Sequence, residues 1–152
     1  QTPVIIACNG HAIAMGVFLL LSGDYRIGVE NPPFKIAANE VAIGMTMPAT
    51  AIQVCKQRLN PAHYVRAVMM AEEFSSNNAV EAGFLDCTVS SNKELMEKAI
   101  SMATAYTKLD LEAHYRTKLR LRKHLIKALK RANRFDKFDI IRLGLMRMFK
   151  KK

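Results

Sequence analysis

The chain has 152 residues, half of them hydrophobic, enough for one domain that buries roughly two-thirds of its unfolded surface. Its formal charge is +10, but residues 1–100 carry seven Lys/Arg against nine Asp/Glu, and the remainder carries sixteen against four. The basic character therefore belongs to the last third, where no zinc-finger, homeodomain or RNA-binding aromatic pattern accompanies it, and no nucleic-acid partner is expected.

In chain order, Val4 to Cys8 is a continuous apolar run stopped by Asn9-Gly10, which predicts a fully buried strand of a sheet covered on both sides. Met15-Gly16 then leads into VFLLLSGD, apolar all round, which predicts a short helix buried in the core. Tyr25 to Val29 is a second strand, and Asn31-Pro32-Pro33 is a turn that cannot continue it. Phe34 to Ala37 is a third short strand.

After Pro48, ATAIQVCKQRL has helical spacing, and Pro61 starts the next helix as a first-turn proline, with Val65, Val68, Met69 and Phe74 on one side. Met69 and Met70 are expected to fill the core. NNAVEAGFLDCTV reads as helix, glycine stop at Gly83, then strand. Ser91-Asn92 with Glu94 opens an amphipathic helix through Tyr106, and a further helix is predicted from Leu109 to Ala132. The order is β-α-β-β-α-α-α-β-α-α, a mixed α/β fold without internal repeat.

Several chemistries lack their residues. There is no Gly-rich phosphate loop, no paired carboxylate at metal spacing and no serine in a nucleophile elbow, so no metal site is expected. His11, His63, His114 and His124 are scattered and are read as structural or surface groups. Cys8, Cys55 and Cys87 are odd in number and lack ligand spacing, which points to reduced, buried thiols in an intracellular, cytoplasmic protein. The apolar run from Ala12 to Leu21 is about half of what a bilayer crossing needs. One carboxylate stands out. Glu40, in FKIAANEVAIGM, has no charged neighbour between Lys35 and Lys56. It is either the exposed start of a strand or loop, or a carboxylate kept in an apolar place for chemistry.

TPVIIACNGHAIAMG followed by GDYRIGVENPPFKIAANEVAIGM resembles the enoyl-CoA hydratase/isomerase (crotonase) superfamily. That family shows a PVIAAVNG strand, a Gly-rich turn, an apolar helix, a D-x-R-I-A strand and a carboxylate before an I/L-G stretch. Glu81-Ala82-Gly83-Phe84-Leu85-Asp86 resembles its later E-A…G…D element, and the similarity runs over about residues 2–130. The resemblance implies a crotonase-like ββα spiral core incomplete at its N-terminus (residues 1–90) and a helical C-terminal region (91–132); residues 133–152 do not resemble the family and are read from their own pattern as a basic amphipathic tail. The resemblance also implies acyl-CoA as substrate, no cofactor beyond that coenzyme A thioester, and a homotrimer or hexamer.

In relatives an enolate oxygen is held by two backbone N–H groups, one of them from the Gly-rich turn at a helix N-terminus. Carried onto this chain, that donor is the N–H of Met15, with Ala14, Gly16 and Phe18 as the implied substrate-binding residues; where the family has glycines this chain has Ala14 and Met15. The strand that supplies the second donor in relatives precedes the NG strand and is expected to be missing here. Hydratases of the family use two glutamates. At the first position this chain has Phe18, which cannot accept a proton, and at the second it has Glu40.

One base suffices to move a double bond, taking a proton from C2 of a 3-enoyl-CoA and returning it at C4. DYRIGVENPPFKIAANE also resembles the DYRI-x-x-x-NP-x-x-x-I-x-x-NE pattern of Δ3,Δ2-enoyl-CoA isomerases. The resemblance thus implies isomerase-type proton transfer by Glu40. A hydratase-like enzyme, an acyl-CoA hydrolase, and an inactive CoA-binding or oligomerisation module are the alternatives.

Arg116 to Arg131 places eight Lys/Arg among Leu119, Leu121, Leu125, Ile126 and Leu129. This is an amphipathic surface or subunit helix, or a set of cations facing the CoA phosphates. Ile140, Ile141, Leu143, Leu145, Met146 and Phe149, with Lys150 to Lys152, predict a basic amphipathic helix that could lie on a membrane surface or dock a partner.

Overall fold

The computed structural model describes residues 2–149, with side chains up to residue 139. The first strand, β1 (Ile5–Cys8), is followed by a two-residue strand β2 (Ala12–Ile13) and helix α1 (Met15–Ser22). Then come β3 (Tyr25–Val29), β4 (Lys35–Ala37), a single 3-10 turn at Val41–Ile43, and helices α2 (Ala49–Arg58) and α3 (Pro61–Met69). β5 (Phe74–Ser75), α4 (Ser76–Ala82), β6 (Cys87–Val89), α5 (Asn92–Tyr106), α6 (Leu111–Leu121) and α7 (Lys123–Phe149) complete the chain.

The strands form two small sheets. In one, β3 lies between β1 and β6 and all three run parallel, with Ala7 opposite Ile27 and Ile27 opposite Cys87. In the other, β4 lies between β2, which is parallel to it, and β5, which is antiparallel. β2 and β5 are two residues each and carry no period that sequence reasoning could read. The predicted mixed α/β fold otherwise stands, with the strands at Val4–Cys8, Tyr25–Val29 and Phe34–Ala37 each shortened or matched within a residue.

Local signals act where they were read. Asn60 accepts from the Ala62 N–H at 3.1 Å ahead of Pro61, and Ser91 accepts from the Glu94 N–H at 3.3 Å. Gly83 has φ +91°, and a Cβ there would lie 2.5 Å from the Arg58 carbonyl oxygen, so both the left-handed cap and the close approach demand glycine. Gly28 in β3 is needed for a different reason: a Cβ would come within 2.4 Å of Leu85 Cδ1.

Six expectations are corrected. Strand β1, expected to be fully buried, is part-buried along its whole length. Helix α1 buries Val17, Leu20 and Leu21 but leaves Met15 and Leu19 exposed, so it is half-covered rather than enclosed. Met69 and Met70 are exposed instead of filling the core, because α3 turns Ala67 and Val68 inward. Phe74 is buried, but in β5 and not on the α3 face. The single helix predicted from Leu109 to Ala132 is two, interrupted at Arg122, and the second continues to Phe149. Of the cysteines, Cys55 alone is fully buried; Cys8 and Cys87 are half-buried, and all three are free thiols.

Three carboxylates tie distant segments together. Arg26, 3 % exposed, donates from Nε to Asp86 Oδ2 at 2.9 Å and from Nη2 to Oδ1 at 2.8 Å, while its Nη1 donates to the Gly83 carbonyl at 2.7 Å. Asp86 also accepts the Arg26 backbone N–H at 2.8 Å. Asp24 accepts from the Val4 N–H, from Lys118 Nζ at 2.5 Å and from Arg122 Nη2 at 2.7 Å, which pins the α6–α7 junction to the start of β1. Asp136 of α7 accepts the Ala49 and Thr50 N–H groups at 2.7 and 2.9 Å and the Thr50 hydroxyl at 2.7 Å, so the C-terminal helix caps α2. The side chains of the expected apolar tail from Ile140 onward lie outside the described residues.

Candidate functional site

β2 and β4 are parallel neighbours, with Ala12 opposite Ile36 and Ile13 opposite Ala37. Whatever follows each strand therefore leaves from the same end of the sheet, about one strand spacing apart. After β2 come Ala14 and the first turn of α1; after β4 come Ala38, Asn39 and Glu40. The carboxyl ends of parallel strands are where open α/β sheets place their ligands. The register thus brings Met15 and Glu40, 25 residues apart in sequence, to one rim.

The backbone at this rim is specialised. Ala14 has φ +51° and ψ −119°, a conformation that a Cβ disfavours at about 1–3 kcal/mol. Its N–H is bonded to the Ala37 carbonyl at 2.9 Å, stitching the turn to β4, and its carbonyl accepts the Val17 N–H at 2.9 Å. The N–H of Met15 belongs to the first turn of α1, whose donors have no partner within the helix. Met15 itself is 66 % exposed, so this donor sits at an open helix N-terminus. Gly16 leaves room: a Cβ there would meet only Ala12 Cβ, at 4.0 Å. Phe18 is half-buried against the core.

Glu40 is 5 % exposed, and its Oε2 is buried without a hydrogen-bond partner among the described residues. Next to it, Asn39 Oδ1 is likewise buried and unpartnered. The Glu40 carbonyl accepts the Met45 N–H at 2.9 Å and the Ile43 N–H at 3.2 Å, closing a turn that Gly44 ends at φ +75°. The exposed-start reading of Glu40 therefore falls. The polarity along this stretch is inverted, because the carboxylate is inside while Val41, Ile43 and Met45 are exposed. Their alternation resembled a strand but belongs to a 3-10 turn on the surface.

Two contributors were not singled out from sequence. Cys55 of α2 is fully buried, and burial, with the Glu40 carboxylate nearby, pushes its thiol up to about 12. It is an apolar neighbour of Glu40. Asn39 was visible only as the residue before Glu40. Helical spacing puts Cys55 on the buried face of α2 with Ala51, yet nothing in the sequence says which loop that face covers.

Among the described residues no group of three His, Cys, Asp or Glu could hold a metal, and no helix is long and apolar enough to cross a membrane. Two cavities of about 270 and 470 Å³ lie between α1, α2, α6 and α7, lined by Arg58, Lys118 and Arg122 among others, and neither is lined by a predicted site residue. Ile13, Met15 and Leu19 along β2 and α1, and Val41, Ile43 and Met45 after Glu40, are exposed.

A family model described as enoyl-CoA hydratase/isomerase matches residues 1–139, nine residues further than the motifs alone reached. The chain is 28 % identical over 120 residues to mitochondrial enoyl-CoA delta isomerase 1 of Mus musculus, covering 79 % of this chain and 41 % of that protein. It is 33 % identical over 101 residues to carnitinyl-CoA dehydratase of Salmonella typhi, covering 66 % of this chain and 38 % of the relative. A solved enoyl-CoA hydratase/isomerase family protein from Pseudomonas syringae superposes with a TM-score of 0.85 at 47 % identity, over 89 % of this chain and 58 % of its own. The chain thus spans about two-fifths of the length of the curated relatives it matches. Parallel-strand register, helix-start turn and buried glutamate stand together with a match over nearly the whole sequence, and the chain belongs to the enoyl-CoA hydratase/isomerase family, with a crotonase-type fold.

Proposed function

We propose that this chain carries the proton-transfer part of an acyl-CoA isomerase site, with Glu40 as the base and the Met15 N–H as one oxyanion donor. The observation that supports it most directly is the buried, unpartnered Oε2 of Glu40. A carboxylate kept from water without a bonding partner costs stability that a structural role would not require. Such a group is suited to taking a proton from an apolar substrate placed against it.

The chemistry assigned here needs a single base. Glu40 removes a proton from C2 of a 3-enoyl-CoA, the electrons move into the thioester carbonyl, and the Met15 N–H donates to the oxygen that gains charge. The same carboxyl returns the proton at C4, giving the 2-enoyl isomer with no net change in charge. Phe18, one turn beyond Met15 on α1, offers no second base to direct water, which favours isomerisation over hydration. Ala14 and Gly16 border the thioester in this arrangement. Acyl-CoA is the substrate class, no further cofactor takes part, and the assembly is a homotrimer or hexamer.

The test is Glu40→Gln in the protein made from its complete coding sequence, assayed with 3-enoyl-CoA while free thiol is followed. Isomerisation is expected to fall by about 10²–10⁴-fold with acyl-CoA binding retained and no thiol released. Unchanged turnover would overturn the assignment of the base. Release of CoA by the unmodified enzyme would instead establish a hydrolase.

A further inference from the structure

We propose that the outer face of α7 is a docking surface for an anionic lipid bilayer. Ala132 is buried, and the Asp136 carboxylate caps α2, so this part of α7 has a fixed inner side. At 100° per residue, the opposite side carries Lys127, Arg131, Arg134 and Phe138, spaced i, i+4, i+7 and i+11, flanked by Lys123, Lys130 and Phe135. All seven are exposed. Phe135 and Phe138 are 56 % and 66 % exposed, whereas Phe34, Phe74 and Phe84 are buried and Phe18 is half-buried.

The mixture of groups selects the occupant. Arg131 lies over the Phe135 ring at 6.0 Å, and with Arg134 and Phe138 these residues make a shallow, basic and aromatic patch. The single exposed carboxylate of α7 among the described side chains is Asp139, which sits beside the stripe and not in it. A straight helix with cations flanking exposed rings matches a flat surface that is anionic outside and apolar just beneath: headgroups pair with Arg and Lys while the phenyl groups enter the acyl boundary. A second copy of this face would meet it with like charge. A nucleic acid would meet the cations, but a convex helix offers the rings no groove in which to stack bases. The inference uses none of the groups assigned to the Glu40 site, so it stands or falls separately from the isomerase reading.

The experiment is co-sedimentation of the full chain with phosphatidylcholine vesicles with and without phosphatidylserine. Binding is expected only where phosphatidylserine is present, and to weaken steeply with added salt. Arg131→Ala with Arg134→Ala should lower it about twenty-five-fold, roughly fivefold for each cation lost at the surface. Phe135→Ser with Phe138→Ser should lower it while leaving the salt dependence in place. Equal binding to neutral vesicles, no binding, or binding untouched by both pairs would overturn the proposal. So would displacement by a single-stranded oligonucleotide that loses affinity in the same variants, or a fall in molecular mass of either variant by ultracentrifugation, which would assign the face to a second copy. Should a variant melt early, the headgroup and salt dependence of the unmodified chain decide the matter.

Discussion

The two small sheets make opposite use of polar groups. At the β3–β6 side, buried Arg26 shares two side-chain bonds with Asp86, which reaches the surface, and the guanidinium also meets the Gly83 carbonyl. At the β2–β4 rim, Glu40 and Asn39 are buried with an oxygen each unpartnered, and Ala14 holds a backbone conformation suited to glycine. One region is satisfied and the other strained. The satisfied side is framework, since every polar group there is needed to keep another one bonded. The strained side retains costs that folding alone would remove, which is what the proposed site requires.

The largest effect expected from breaking this contrast is at Asp86. Asp86→Ala leaves the buried Arg26 guanidinium with one carbonyl partner, and unfolding titrations should show a loss of about 1–3 kcal/mol, less than for a fully buried pair because Asp86 is itself exposed to water. A loss below about 1 kcal/mol would mean that the pair is not the framework element described here. Acid should reveal the same pairs without mutation. Burial pushes the Asp24 and Asp86 carboxyls up, but bonds from Lys118, Val4 and Arg122 to the first, and from Arg26 to the second, outweigh it and hold both below their ordinary 3.8. Because the folded values lie below the unfolded ones, this stability is fully present above about pH 4 and drains away as pH falls through the unfolded and then the folded value. Melting temperature followed from pH 6 downward should drop in that window, and Asp24→Asn should start lower and fall less.

The site should respond in the opposite direction. Glu40→Gln replaces a buried carboxyl group whose Oε2 has no partner among the described residues, at nearly constant shape, so stability is expected to stay level or rise by about 1 kcal/mol even as isomerisation is lost. A destabilisation above about 2 kcal/mol would place Glu40 with the framework and remove the main support for its role as base. Chemical denaturation of the single variant beside the unmodified chain measures this directly.

The legibility of the two regions in sequence differs for physical reasons. The framework announced itself through local rules: Gly83 as helix stop, Pro61 as helix start, and apolar runs at β1 and β3 each depend on neighbours within a few residues. The partnership of Arg26 with Asp86 did not, since the two are 60 residues apart and only the β3–β6 pairing brings them together. Glu40 was legible as an oddity of charge spacing. Its burial was not, because the exposed Val41, Ile43 and Met45 around it invert the usual rule that apolar residues point inward. The same inversion explains Met15, Leu19 and Met69, which composition would assign to a core and which the fold leaves on open faces. Apolar surface retained at a rim is invisible to periodicity, because periodicity reports which residues share a side and not what that side meets. Asp136 is the converse, a tail residue without any motif that becomes a helix cap only once α7 folds back on α2.

The smallest expected effect sharpens the comparison furthest, since it separates strain from chemistry. Ala14 at φ +51° bears a steric cost that glycine does not, yet glycine frees the unfolded chain and gives back part of the gain. Ala14→Gly should therefore raise stability by about 0.5–1 kcal/mol, with the Ala14 N–H still bonded to Ala37 and the Met15 N–H unmoved. A loss of stability would show that the methyl group packs usefully and that the turn is not strained by it. If the gain appears while isomerisation is unchanged, the conformation of the turn holds the Met15 donor and the Ala14 side chain does not. If turnover rises with it, the methyl group narrows the space beside the thioester, and the substitution of alanine for the family's glycine is a determinant of which acyl chains enter.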